Sequence, residues 1–430
     1  MKIAIVGAGA IGCLYGAYLS RQNEVAFICR RRKVADSINH NGIVVYEPDG
    51  SKETFQTNVS AFVSGECREP MDLVIIIVKG ADTETAVTSN MGMIDDHTMV
   101  MTLQNGAGND GIIAKYIPME RIIIGTTRHN VVNLDNGNIR HSGGGATYIG
   151  SNIEGTQLEY IAELFREAGF ETIVSENIQQ ILWSKLFVNL SINAFTAITK
   201  TQIGTLIDNR YAWFFAEKMI CEAIDVAEAE GMHFSYRDTL NAVHDICETV
   251  STGFSSMSQD VMNCRTTEID VINGFVVKRA QAHNVPAPYN QFVVNLIHAI
   301  ENTYHTQKKD MEKYAQDEVI IHSGDMCDCV YKVMQGSVSL YTDYQTEKEY
   351  LFGVYAADRF FGECSCLSNQ PNLFTVVANE DTIVMRIPKD EVHNYISVNP
   401  LNAESMLKDL SRQTAMLVKN IEMVKGEKAG

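Results

Sequence analysis

The sequence predicts a multidomain chain: an α/β domain on a parallel sheet, an all-α helical domain, then a small β-roll (jelly-roll-like) with a C-terminal helix. Three changes of texture along its 430 residues predict this order. Short apolar runs first alternate with amphipathic stretches, as strands and crossover helices do. From about Gln157 to His305 long helical patterns take over, with few turn residues before Asn284-Val285-Pro286. After the charged link Thr306-Gln307-Lys308-Lys309-Asp310, short β-type runs are separated by Gly, Asp and Asn. The expected boundaries are 1–168, 169–307 and 308–430, since a chain of this length exceeds one compact core.

In the first domain the strand candidates are Lys2–Val6, Val25–Cys29, Leu73–Val78, Met99–Leu103 and Ile122–Ile124. The run from Leu73 to Val78 does not alternate, which suits a strand covered on both faces. Helices are expected over Trp183–Ala197, Arg210–Glu230 and Gln259–His283. In the roll, Val319–Ile321, Val330–Met334, Ser337–Thr342 and Thr382–Ile387 read as strands, and about Ala403–Val424 as a closing helix.

Composition narrows the function. A net charge of −18 opposes non-specific binding to nucleic acid. No apolar run reaches bilayer length, and Ile3-Ala4-Ile5-Val6 follows the start without a signal-peptide pattern. A cytoplasmic location with no membrane partner is expected. The ten cysteines show no disulfide-framework spacing and read as reduced thiols.

Gly7-Ala8-Gly9-Ala10-Ile11-Gly12 follows an apolar strand and opens a helix, the context that gives G-x-G-x-x-G its meaning. The first glycine permits the tight turn and the second lets a pyrophosphate approach the backbone. The third packs helix on sheet, and the helix N-terminus faces the phosphates. After the second strand stand Arg30, Arg31 and Arg32, where an NAD enzyme usually carries a carboxylate. A guanidinium attracts the extra phosphate of NADP, so NADPH is the expected cofactor, a solvated basic turn being the alternative. Lys79 and Asn105 end two further strands and point polar groups at the same sheet edge.

Lys185, Asn189 and Asn193 recur every fourth residue among Leu186, Phe187, Val188, Leu190 and Ile192, which makes a polar ridge on a largely buried helix. Hydride delivery to a ketone creates an alkoxide that needs a proton donor within reach. A partly desolvated ammonium has a lowered pKa and suits that task. The bland alternative is a lysine snorkelling to water beside packing amides. Ser255-Ser256-Met257-Ser258-Gln259-Asp260 and Arg265-Thr266-Thr267-Glu268-Ile269-Asp270 form a second cluster, in which Glu268 is expected two turns beyond Asp260 on one ridge. A carboxylate there would orient Lys185; a solvated helix face is the alternative.

These elements together resemble ketopantoate reductase (2-dehydropantoate 2-reductase) over roughly the first 305 residues. The match runs through Gly7–Gly12 with Arg30, Lys79-Gly80, Leu103-Gln104-Asn105-Gly106, the ridge of Lys185, and Ser255 to Gly274. The resemblance implies a Rossmann domain plus a helical domain, with substrate in the cleft between them. It implies Lys185 as general acid and Asn189, Asn193 and Ser256 as substrate ligands. Asn105 would sit near the nicotinamide, and Glu268 would contact the ligands in the closed complex. The implied reaction is NADPH-dependent reduction of a 2-oxo acid, 2-dehydropantoate to pantoate, towards pantothenate and coenzyme A. The competing function is a regulatory protein that senses NADPH and turns over little substrate.

The last domain resembles a cyclic-nucleotide-binding β-roll in Ser323-Gly324-Asp325, Gln335-Gly336-Ser337-Val338 and Phe361-Gly362-Glu363. Where that family carries an arginine for the cyclic phosphate, this sequence has Asn372, so cyclic-nucleotide binding is disfavoured. Ala403, Leu407, Leu410, Thr414, Leu417, Ile421 and Val424 form a heptad stripe. It would pair two copies of the chain as a homodimer or pack on its own roll. The pairs Cys327/Cys329 and Cys364/Cys366 lack zinc-site spacing, and no metal is expected.

Overall fold

The computed structural model describes residues 1–134, 137–153, 158–307, 311–398 and 400–427, and the side chains of these except 305–307, 394, 397–398, 400–401 and 416–427. Residues Met1–His298 form one compact unit and Ala299–Gly430 another. The first unit has an eight-stranded sheet in the order Thr172–Val174, Thr147–Gly150, Ile122–Thr127, Met99–Thr102, Leu73–Ile76, Lys2–Val6, Glu24–Cys29, Val59–Val63. Neighbours are parallel except that Thr147–Gly150 runs against Ile122–Thr127. Ile3, Ile5 and Phe27 meet Tyr15 and Phe165 on one face, and Val6, Val74 and Ile76 meet Ile113 and Ile117 on the other. Burial on both faces explains the unbroken apolar runs, each large side chain contributing about 1.5–3 kcal/mol. The strand from Leu73 ends at Ile76, because Ile77 and Val78 turn beneath Gly7 and Gly12.

A second sheet joins Lys52–Phe55, Ile43–Tyr46, Asn138–Gly143 and Asn130–Asn133. These strands are short and half polar, so they leave little apolar signal. The expected helical stretch from Gln157 also begins too early. The helix Leu158–Glu167 still packs on the large sheet, and Thr172–Val174 is one of its strands.

The helix Ile178–Thr199 starts where Asn177 accepts a hydrogen bond from the Gln180 N–H at 3.1 Å. It is apolar almost all round and carries the core residues Trp183, Leu186, Phe187 and Leu190. By length and composition it qualifies as a membrane span, contrary to expectation; 61% of its most apolar window is buried inside the protein, as in a core helix. The single helix expected over Gln259–His283 is two, Ser256–Met262 and Asn273–His283, with a tight turn at Ile269–Val271 between them. Asn263 folds its side chain onto the Gln259 carbonyl, and Cys264 adopts φ +50°, which stops the first helix. Glu268 therefore does not share a ridge with Asp260.

The second unit is a roll of two four-stranded antiparallel sheets. One contains Met311–Tyr314, Thr382–Pro388, Cys329–Gln335 and Phe360–Phe361; the other Val319–Ile321, Thr375–Ala378, Ser337–Thr342 and Tyr350–Ala356. Val333, Val338, Leu340, Phe352, Phe361 and Val384 fill the space between. Cys327, Cys329, Cys364 and Cys366 are free thiols. The last helix, Pro400–Glu427, does not turn the heptad stripe inward along its described part. Among its described side chains Asn402, Met406, Asp409 and Gln413 are buried, while Leu407 is 63% exposed. Leu417, Ile421 and Val424 lie outside the described side chains. The buried register follows polar anchors. Asp409 pairs with Arg359 at 2.5 Å and accepts from the Phe360 N–H, and Gln413 donates to Glu363.

Asp409→Ala removes a fully buried carboxylate and strands Arg359 and the Phe360 N–H. A loss of about 2 kcal/mol is expected, measured as an earlier urea transition of the full chain.

Candidate functional site

Beside the glycine turn lies a cavity of about 540 Å³, lined by Gly7, Ala8, Gly9, Arg30, Arg31 and Val78 among others. Gly7 takes φ +115° and donates its N–H to the Ile28 carbonyl at 3.1 Å, which folds the turn over the second strand. A Cβ on Gly12 would stand 2.1 Å from the Gly7 carbonyl oxygen, so the helix can approach the turn only with glycine there. A Cβ on Gly9 would meet nothing within 4 Å. That open side leaves room for a ligand to approach the backbone. Gly7 to Gly9 line the cavity, while Ala10, Ile11 and Gly12 stand behind them in the first helical turn, whose N–H groups have no partner within the helix.

Arg30 is 89% exposed and 3.9 Å from Asp82, which also lines the cavity. Arg31 faces the same space, and Arg32 turns away to Glu66. Two guanidinium groups and a helix N-terminus suit a dinucleotide with phosphate groups, so the residues present fit such a cofactor.

The polar ridge of the long helix meets the sheet at its carboxyl edge. Lys185 Nζ donates to Asn105 Oδ1 at 3.0 Å, to Thr126 Oγ1 at 3.1 Å and to the Thr127 carbonyl at 2.9 Å. Thr127 is fixed in turn by the Tyr15 hydroxyl, which donates to its Oγ1 at 2.7 Å. Burial brings the Lys185 ammonium down to about 8; Glu268 opposes that shift and Arg128 adds to it. Asn105 Nδ2 donates to Glu268 Oε2 at 3.4 Å. Burial pushes the Glu268 carboxyl up, against the Asn105 hydrogen bond and the charge of Lys79. Lys185, Asn105 and Glu268 thus form one chain of contacts, although Glu268 comes from the loop between two helices.

Lys79 lies outside the lining of the glycine cavity. Its Nζ bonds Asp260 at 2.8 Å and the Thr266 carbonyl at 2.6 Å, so it ties the strand end to the helical half. Asn189 is half-buried, Asn193 buried and Ser256 exposed at the start of its helix. Asn189 and Ser256 make no side-chain hydrogen bond among the described residues, which leaves both open to a ligand. Close packing holds the halves in register. A Cβ on Gly80 would lie 2.5 Å from Val271 Cγ1, and one on Gly106 only 2.3 Å from the Val271 carbonyl. The Ala107 N–H donates to that carbonyl at 3.0 Å. Sequence reading missed Thr126, Thr127, Arg128 and Val271. They act through a hydroxyl, backbone carbonyls, a charge and a shape, none of which makes a motif.

The chain is similar to known proteins. The family pattern described as ketopantoate reductase PanE/ApbA matches residues 3–153, and that of its C-terminal part residues 177–301. A cyclic nucleotide-binding domain pattern matches residues 311–399. The 2-dehydropantoate 2-reductase of Halobacterium salinarum is 31% identical over 300 residues, 69% of this chain and 98% of the relative. That of Pyrococcus horikoshii is 33% identical over 304 residues, 70% of this chain and 98% of the relative. Among solved structures, D-mandelate dehydrogenase with NADH and anilino(oxo)acetate aligns with TM-score 0.67 at 28% identity, covering 71% of this chain and 100% of that one. A PanE/ApbA family ketopantoate reductase from Ralstonia eutropha aligns with TM-score 0.66 at 30% identity, again over 71% of this chain and 100% of that one.

Gly106 has φ +81° as well as the close approach to Val271. Gly106→Ala should cost about 1–3 kcal/mol, seen as a lower Tm, and should displace Asn105 enough to reduce turnover.

Proposed function

The chain belongs to the ketopantoate reductase family, and from that premise we propose that it reduces a small 2-oxo acid with NADPH, 2-dehydropantoate to pantoate being the favoured reaction. An oxidoreductase of this family works with a nicotinamide cofactor. The observation that carries the finer reading is the Lys185 ammonium, held by Asn105, Thr126 and Thr127 at the carboxyl edge of the sheet. NADPH is favoured because Arg30 and Arg31 border the cavity where a 2′-phosphate would project.

When bound, the cofactor supplies a hydride to C2 of the oxo acid. The carbonyl oxygen then gains the electron pair of the broken π bond and takes a proton from Lys185 Nζ, which releases one of its three acceptors to reach that oxygen, and the 2-hydroxy acid results. The neutral amine regains its proton from water after product leaves. Asn105 and Thr126 keep Nζ aimed while it changes charge. Asn189, Asn193 and Ser256 are proposed to hold the substrate's carboxylate and hydroxyl groups. Glu268 holds Asn105 and lends negative charge near the ammonium. A sensor with little turnover would need none of this arrangement, which weighs against the regulatory reading. The deciding experiment is NADPH oxidation by the full chain against a panel of 2-oxo acids that includes 2-dehydropantoate; no turnover with any of them overturns the proposal.

Lys185→Ala should lower kcat by about 10²–10⁴ and leave the Kd for NADPH nearly unchanged. Equal loss of both would remove the acid role. Since the acid is the ammonium, and its pKa lies at about 8, kcat/KM should be level below that pH and fall above it. Arg30→Ala should weaken NADPH binding about tenfold while NADH binding changes little, as read by fluorescence titration with each cofactor.

A further inference from the structure

Beside Lys185 stands a second cation that the mechanism above leaves without a task. Arg128 is the first residue past the strand Ile122–Thr127, directly after the Thr127 carbonyl that accepts from Lys185 Nζ at 2.9 Å. It is exposed, and its guanidinium makes no hydrogen bond and no ion pair among the described residues. Its charge reaches Lys185, where it helps burial to bring the ammonium down.

The backbone and two packing contacts set the side to which this guanidinium points. Residues two apart along a strand share a face. Arg128 therefore continues the side of Thr126, whose Oγ1 accepts from Lys185 Nζ at 3.1 Å. Tyr148 is the Cα partner of Thr126 on the neighbouring strand, and the Arg128 guanidinium lies over its ring, 5.5 Å from the centroid. That ring packs with Ile178 and Leu182, the turn of helix before Lys185. Gly145 leaves space for the arginine stem, since a Cβ there would stand 2.9 Å from Arg128 Cβ. An aromatic face and a glycine gap thus hold the guanidinium on the Lys185 side of the sheet, with its N–H donors unspent.

A 2-oxo acid carries its carboxylate one bond from the ketone. With the ketone oxygen on Lys185 Nζ, the carboxylate lies next to the ammonium but cannot use it, because the ammonium is committed to the ketone. Lys79 is bound to Asp260, and Asn189, Asn193 and Ser256 are neutral. The burial of Glu268 nearby makes an uncompensated second carboxylate costly. We propose that Arg128 receives the substrate's carboxylate as a charge-assisted, two-pronged partner and so selects 2-oxo acids over uncharged ketones and esters. The proposal rests on the reductase reading above and adds a charge to the neutral groups named there.

The test compares the best 2-oxo acid of the panel with its methyl ester, which keeps the ketone and loses the charge. Arg128→Gln should lower kcat/KM for the acid about tenfold or more, chiefly through KM, and lower that for the ester much less. Arg128→Lys, which keeps the charge without the fork, should retain an intermediate preference for the acid; it also serves if Arg128→Gln fails to fold, as judged by a thermal melt. Equal losses with acid and ester, or an unchanged acid-to-ester ratio in both variants, would overturn the proposal while the reductase reading stands. Turnover of no 2-oxo acid at all would sink that reading instead. Calorimetric titration of the NADP-bound protein with 3-methyl-2-oxobutanoate needs no hydride transfer and then decides for Arg128 alone. Binding about tenfold tighter to the unaltered chain than to Arg128→Gln supports it, and equal or undetectable binding in both overturns it.

Discussion

A lysine ammonium on a mostly apolar helix has to find acceptors, and the first unit is organised around the place where Lys185 finds them. Its own helix supplies none: the bonds go to Asn105, Thr126 and Thr127 at the carboxyl ends of two sheet strands. Breaking that arrangement would leave a desolvated cation without partners, a cost of several kcal/mol. The same contacts that settle the charge place a proton donor at the edge of a parallel sheet, where ligands of such sheets bind. Stability of the interface and position of the ammonium are one requirement.

The second constraint is steric. Val271 fits against Gly80 and Gly106, at distances that no Cβ on either glycine would tolerate. The turn that carries Val271 also carries Glu268, so close packing delivers the carboxylate to Asn105. Lys79 closes the other side through Asp260 and the Thr266 carbonyl. The glycines after Lys79 and Asn105 are thus packing devices for the neighbouring polar residues, rather than turn residues alone.

The β-roll keeps a framework while changing the chemistry inside it. Its strands, its Phe361-Gly362-Glu363 turn and its closing helix are in place, yet no lysine, arginine or histidine lines the cavity beside that turn. The closing helix follows the same logic. Asp409 and Gln413 are drawn inward by Arg359, the Phe360 N–H and Glu363, and Leu407 is left in solvent. Specific polar partners outweigh the apolar stripe in setting that register.

Sequence alone determined the order of the three folds, the strands Lys2–Val6, Val319–Ile321 and Ser337–Thr342, the glycine turn and the ridge of Lys185. Each is written in local periodicity, or in a residue type that only one backbone geometry accepts. The small second sheet, the break between Asp260 and Glu268, the acceptors of Lys185 and the inward face of the last helix were decided by tertiary structure. The Thr127 and Val271 carbonyls belong to the backbone and carry no residue signature, and Glu268 reaches Asn105 only because the chain turns at Cys264. Which partner satisfies a buried charge depends on groups far apart in sequence, and folding alone brings those together.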